Sequence, residues 1–162
     1  MPDKPTITAW CDGSYRGRGK SKKGGAIGGG FVLQDNNTGT ENTYSRTFNA
    51  LSDSRKQASM IAEIRAVGAV LREAPKCHHI HIHNDNRGVV AFMQQCALSA
   101  NALEYRPGKG GHELRVAFNQ AMLAMQRHDH VSFSWQKRSE PMMRQAHKLA
   151  DQATKRPEAR AA

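Results

Sequence analysis

Four carboxylates stand at points where a chain reversal or a helix face can bring acids together: Asp12, Glu63, Asp85 and Asp151. Each alone is ordinary, because an Asp at a strand end serves as a turn or cap residue and a Glu on a helix usually meets solvent. Together they are not ordinary. Carboxylates a few ångströms apart repel one another and protonate unless a cation compensates them. Hard oxygen donors suit Mg²⁺, with Mn²⁺ as a substitute, and two such ions about 3.5–4 Å apart activate a water and stabilise the leaving oxygen of a phosphodiester displacement. The expected metal ligands are therefore Asp12, Glu63, Asp85 and Asp151.

The charge of the chain names the partner of such a site. Lys and Arg total 24 against 14 Asp and Glu, a formal net charge of +10. That excess draws polyanions to the surface, and nucleic acid is the default polyanion. Three cysteines, Cys11, Cys77 and Cys96, an odd number with no C-x-x-C spacing, indicate neither a disulfide framework nor a cysteine zinc site. No apolar run is long enough for a membrane span and the N-terminal residues lack the plan of a secretory signal, so a cytoplasmic monomer with no membrane partner is expected. A chain of 162 residues is read as one domain, with a core over about 6–155 and a frayed tail over 156–162.

The elements that must position the acids follow from periodicity. Residues 6–12 alternate as a strand, with Ile7, Ala9 and Cys11 on one face and Thr8, Trp10 and Asp12 on the other, and Asp12 at its end. A Gly-rich basic turn with Arg16, Arg18, Lys20, Lys22 and Lys23 precedes strands at 25–34 and 42–49, a three-stranded meander. From about Ser54 the period turns helical, with Met60, Ile64, Val67 and Leu71 inward, Glu63 beside the stripe, and Pro75 beyond the end. Residues 78–84 form a fourth strand before Asp85. A helix follows with Val89, Phe92, Met93 and Cys96 inward, then a loop over 105–111 and a helix with Leu114, Ala117, Phe118, Ala121, Met122 and Met125 inward. Val131, Phe133 and Trp135 mark a fifth strand, and Pro141 opens a last helix carrying Met142, Ala146, Leu149, Ala150 and Ala153. The order β-β-β-α-β-α-α-β-α predicts an α/β domain with a helical crossover between the third and fourth strands.

Trp10-Cys11-Asp12-Gly13-Ser14, the Gly-rich stretch Gly24 to Gly28, Ile61-Ala62-Glu63 in a helix, Asn84-Asp85-Asn86 after a strand and Leu149-Ala150-Asp151 in the last helix resemble the type 1 ribonuclease H family, over about residues 6–155. The resemblance implies a ribonuclease H-like five-stranded mixed sheet, its first three strands antiparallel, with helices on both faces. It implies hydrolysis of the RNA strand of RNA–DNA hybrids to 5′-phosphate and 3′-hydroxyl ends. It also implies roles: Asp12 bridging two ions, Asp151 on the ion that activates water, Glu63 and Asp85 on the ion at the leaving group. Glu63 and the backbone around Gly13 and Ser14 would meet RNA 2′-hydroxyls.

The chain departs from the family at three places. Ala58-Ser59-Met60 stands where many members carry Thr-Asn-Asn, leaving Ser59 as the polar donor there. Residues 136–140 hold no His where members often carry one. His147 replaces an Asn four residues before Asp151, so the two share a helix face, and His147 enters the catalytic set as a proton shuttle or a tuner of metal-bound water, with a solvated surface His as the alternative. The expected substrate-binding residues are Gly13, Ser14, Arg16, Arg18, Lys20, Ser59 and Lys109, the last in the basic loop around Arg106–His112. His79, His81 and His83 alternate on one strand face. Packing and hydrogen bonding under a helix, or partial exposure to solvent, is the leading reading for them, and structural zinc the lesser one. A related nuclease acting on other duplexes or branched nucleic acid, or a non-catalytic binding module, is the alternative to the hybrid nuclease.

Overall fold

A computed structural model of the chain describes residues 4–17, 25–48, 57–98 and 111–155. Its elements are β1 (Ile7–Arg16), β2 (Ala26–Asp35), β3 (Glu41–Phe48), α1 (Ala58–Glu73), β4 (His79–Asn84), α2 (Arg87–Leu98), α3 (His112–Met125), β5 (His130–Trp135) and α4 (Pro141–Thr154). They form one five-stranded sheet in the order β3-β2-β1-β4-β5. β1 to β3 are an antiparallel meander, and β4 and β5 run parallel to β1. This is the mixed sheet and element order expected from the sequence. Arg18, Lys20, Lys22, Lys23, Arg106 and Lys109 lie outside the described residues, as does the 156–162 tail.

Strand parity decides which helix lies on which face. Ala9, Cys11 and Phe31 point to the face covered by α1, with α3 packed on the outer side of α1 and α2 against β4 and β5. Trp10, Asp12 and Ser14 point to the opposite face, where α4 crosses β1, β2 and β3. Helix α1, sandwiched between sheet and α3, is buried nearly all round: Ile61 to Ile64 and Ala66 to Leu71 are all inaccessible. The single stripe of Met60, Ile64, Val67 and Leu71 is therefore too narrow, since Ile61, Ala62, Ala66 and Val70 outside it are buried as well, while Met60 packs partly buried at its start. Buried Ile64, Val67 and Leu71 each contribute about 1.5–3 kcal/mol by the usual transfer scale.

Two further expectations need correction. Asp12 does not end the first strand; β1 continues through Arg16, because Asp12 to Arg16 pair with Gly30 to Ala26 of β2. In α4 the buried methionine is Met143 rather than Met142. Pro141 does begin α4, its fixed φ suiting the first turn.

Candidate active site

β1 and β4 pair only from Ile7↔Ile80 to Trp10↔His83. Beyond that the strands part, and the polar groups on that side of β1 must find other partners. The Cys11 carbonyl accepts from Asn84 Nδ2 at 3.0 Å. The Gly13 N–H donates to Glu63 Oε1 at 2.7 Å and to Asp12 Oδ1 at 3.0 Å. Gly13 is required here: a Cβ on it would lie 2.3 Å from the Ala62 carbonyl carbon, so only glycine lets the α1 backbone close on β1 and bring Glu63 into the gap.

The third acid enters from β4. Asn84 Oδ1 accepts the Asn86 N–H at 2.8 Å, and Asn86 Oδ1 accepts the Val89 N–H at 3.0 Å, so a tight turn carries Asp85 between strand end and the first turn of α2. Asp12, Glu63 and Asp85 each offer an oxygen, and these atoms lie within 4.8 Å of one another. Asp12 is fully buried and Glu63 is 6% exposed. Burial first, then the neighbouring Asp12, pushes the Glu63 carboxyl well above its ordinary value. Burial first and Asp12 second also raise Asp85, while Arg138 opposes the rise. Cys11, raised by burial and by Glu63, stays an uncharged thiol.

Asp151 is not part of the three-acid group. It sits on α4 and accepts from the Ser14 hydroxyl at 3.1 Å. One turn earlier, His147 Nδ1–H donates to Asp12 Oδ2 at 2.7 Å, with 32% of its side chain exposed. Both reach the site because α4 lies directly on the sheet: a Cβ on Gly30 would fall 2.2 Å from the Ala146 carbonyl oxygen and 2.3 Å from the Ala150 nitrogen. The structure thus gathers five sequence-predicted residues around the end of the β1–β4 pairing, three acids in contact range with His147 and Asp151 beside them.

Of the expected substrate-binding residues, Gly13 and Ser14 have their donors engaged by the acids. Arg16 is exposed where β1 ends, and Ser59 is exposed on the first turn of α1. Sequence reasoning missed Arg138, whose Nε–H donates to Asp85 Oδ2 at 2.9 Å, and Trp135, whose indole N–H donates to the Asp85 carbonyl at 3.0 Å beneath Arg87. No spacing marks an Arg in an irregular link, and Asn84 gave its only signal as a neighbour of Asp85.

The strand histidines do hydrogen-bond, to serines of β5 rather than under a helix, and the expected partial exposure holds for His81 and His83. Ser132 Oγ bridges His79 Nε2 and His81 Nδ1 at 2.8 and 2.6 Å, and Ser134 Oγ bridges His81 Nε2 and His83 Nδ1 at 2.8 Å each. Among the described residues the acids alone bring three metal-ligating groups within reach of one another. Cys77 turns instead to His128, 3.5 Å from its Sγ.

The acid group fits a divalent cation on its own chemistry. Its donors are hard oxygens, the Glu63 and Asp85 carboxyls are pushed toward the protonated form by burial and by Asp12, and Glu63 Oε2 is buried with no hydrogen-bond partner. No helix among the described residues is long and apolar enough to cross a membrane.

Neither a family model nor a curated protein matches the sequence. Solved structures do match. The N-terminal ribonuclease H domain of a Mycobacterium tuberculosis protein, solved as a fusion with maltose-binding protein, aligns with a TM-score of 0.66 at 18% identity, covering 96% of this chain and 99% of that one. RNase H1 of the halophilic archaeon Halobacterium salinarum gives 0.60 at 20% identity, covering 91% and 96%. LC11-RNase H1, solved in complex with an RNA/DNA hybrid, gives 0.57 at 18% identity, also covering 91% and 96%. The strand order and the helices on both faces thus belong to a chain with the fold of the type 1 ribonucleases H.

Proposed function

We propose that the protein is a metal-dependent endonuclease that hydrolyses the RNA strand of RNA–DNA hybrids, leaving 5′-phosphate and 3′-hydroxyl ends. The observation that carries this reading is the meeting of Asp12, Glu63 and Asp85 within 4.8 Å where β1 and β4 part, on a chain of net charge +10. A pure nucleic-acid binder has no use for buried anions where phosphate must lie. When bound, two divalent ions supply a nucleophile at neutral pH and stabilise the charge of the leaving oxygen.

The chain's own residues do the rest. Asp12 would bridge the two ions, Glu63 and Asp85 would hold the one at the leaving group, and Asp151 the one on the water side. Asp151 is steered by Ser14, and Asp12 by the hydrogen bond from His147, which fixes the carboxylate as an outer partner fixes a metal ligand. With Nδ1–H committed to Asp12, His147 keeps Nε2 as the nitrogen that takes or returns a proton at the attacking water. The 2′-hydroxyls of the RNA strand would meet Glu63 and the backbone near Gly13 and Ser14, which distinguishes RNA from DNA. Phosphates of the duplex would lie against Arg16, Arg18, Lys20, Ser59 and Lys109.

One labelled sequence, presented as RNA–DNA hybrid, double-stranded RNA, double-stranded DNA and single-stranded RNA with Mg²⁺ or Mn²⁺, tests the reading beside Asp12→Asn. The expected result is cleavage of the hybrid's RNA strand alone, stopped by a chelator and lowered at least about 10⁴-fold in Asp12→Asn, which still binds hybrid. Cleavage of a different duplex would reassign the substrate. Chelator-insensitive binding without cleavage would make the chain a binding module.

A further inference from the structure

Arg138 holds a metal-site carboxylate and yet faces solvent. Its Nε–H donates to Asp85 Oδ2, while its side chain is 60% exposed against 10% for Asp85. The link that carries it is pinned on both sides: the Gln136 N–H donates to the Asn84 carbonyl at 3.0 Å, and Arg144 Nη2 donates to the Ser139 carbonyl at 3.3 Å. These bonds hold the link at both ends, while the Arg138 side chain, largely exposed, has room to turn. Asp85 is one of the three acids suited to a divalent ion. An ion that takes this carboxylate competes with the guanidinium for its negative charge and repels the guanidinium's own charge, and a guanidinium does not escape by losing its proton. The anion that such a loaded site gathers is a phosphodiester, and the planar fork of arginine matches two of its oxygens. Arg87, held 3.7 Å over the Trp135 ring, places a second cation on the same rim.

We propose that Arg138 is a phosphate-binding residue that exchanges Asp85 for a non-bridging oxygen of the scissile phosphodiester when divalent ions occupy the carboxylate site. Without ions it neutralises Asp85; with ions and substrate it contacts the reacting phosphate. The identity of the substrate rests on the hydrolase reading above, whereas the exchange itself rests on the Arg138–Asp85 geometry.

The test compares the full chain with Arg138→Gln and Arg138→Lys, each first shown to melt like the parent. Substrate-free Mn²⁺ affinity is measured by calorimetry, hybrid affinity by fluorescence anisotropy with Ca²⁺ or with a chelator, and turnover with Mg²⁺. In Arg138→Gln, Mn²⁺ binding is expected to tighten about two- to fivefold, because an exposed competing cation has gone. Hybrid affinity should weaken about tenfold with Ca²⁺ but not in chelator, and kcat should fall about 10²-fold. Arg138→Lys should keep the Ca²⁺-dependent affinity and recover kcat only in part. Weaker Mn²⁺ binding in Arg138→Gln, with turnover restored by excess Mn²⁺, would overturn the proposal and leave Arg138 as a residue that merely orients Asp85. Unchanged hybrid affinity and kcat would overturn it as well. If the parent cleaves no nucleic acid, the hydrolase reading falls on its own, and the ion-dependent difference in hybrid affinity still decides the role of Arg138.

Discussion

Glu63 shows how a residue suited to function weakens the fold that holds it. Its folded-state carboxyl lies well above 4.5, so the folded protein binds more protons than the unfolded chain between those two values. The stability tied to this group is therefore greatest below about pH 4.5 and is lost as the pH rises through the folded value. Glu63→Gln keeps an acceptor for the Gly13 N–H and removes the buried charge. It is expected to raise the metal-free stability at pH 8 by about 1–3 kcal/mol, or roughly 3–10 °C in Tm, with little gain at pH 4. Mg²⁺ should stabilise the parent by about 2.7 kcal/mol at a hundredfold excess over Kd, and the variant far less. Thermal melts at two pH values, with and without Mg²⁺, measure both effects, and a variant that melts lower at pH 8 without metal would contradict the account. The four acids were legible in the sequence because their types and order were visible there. Arg138 was not, since only the folded link brings it to Asp85.

At the scale of elements, the site depends on how closely α4 can lie on β1 and β2. Gly30 faces the backbone of Ala146 and Ala150, which cannot turn aside as a side chain would. Gly30→Ala should lift α4, draw His147 and Asp151 away from Asp12, and cost about 1–3 kcal/mol as overpacking does. Urea denaturation and turnover should both register it; a variant with parental stability and kcat would show that α4 has slack. The sequence marked the glycines as a strand but not as a seat for a helix, because a pattern of period two carries no information about which element lands on it. For the same reason α1 read as amphipathic: periodicity detects the sheet-facing stripe, not the second layer contributed by α3. The histidine row has a pH signature of its own. His81 is pulled down to about 4 by burial first and by His83 and His79 next, so the unfolded chain binds more protons between there and 6.5. Its share of stability is complete above about pH 6.5 and is lost as the pH falls toward 4, by about 1 kcal/mol once the half-exposed ring is allowed for. His81→Asn should flatten that acid limb in urea titrations at pH 7 and 5, whereas an unchanged limb would assign it to other groups.

At the scale of the molecule, a cationic surface and an anionic centre must coexist. The net charge of +10 attracts a duplex, while two buried acids and the half-buried Asp85 repel phosphate at the proposed reacting position until a cation arrives. Affinity and turnover should therefore separate. Replacing Arg16, Arg18, Lys20, Lys22 and Lys23 with Gln or Ser cuts the formal charge from +10 to +5 without touching any acid. Each of these residues that neutralises a duplex phosphate contributes about 0.9 to the slope of log affinity against log salt, so the slope should fall by up to about 4–5. Hybrid binding at low salt should weaken strongly, while kcat at saturating substrate stays within about threefold, because lost uniform binding raises KM and leaves the chemical step alone. Salt titrations of hybrid affinity beside saturating turnover in Mg²⁺ separate the two. A parental slope would move the phosphate contacts to other basic residues, and a collapse of kcat with the slope unchanged would mean that the stretch shapes the site instead of binding the duplex.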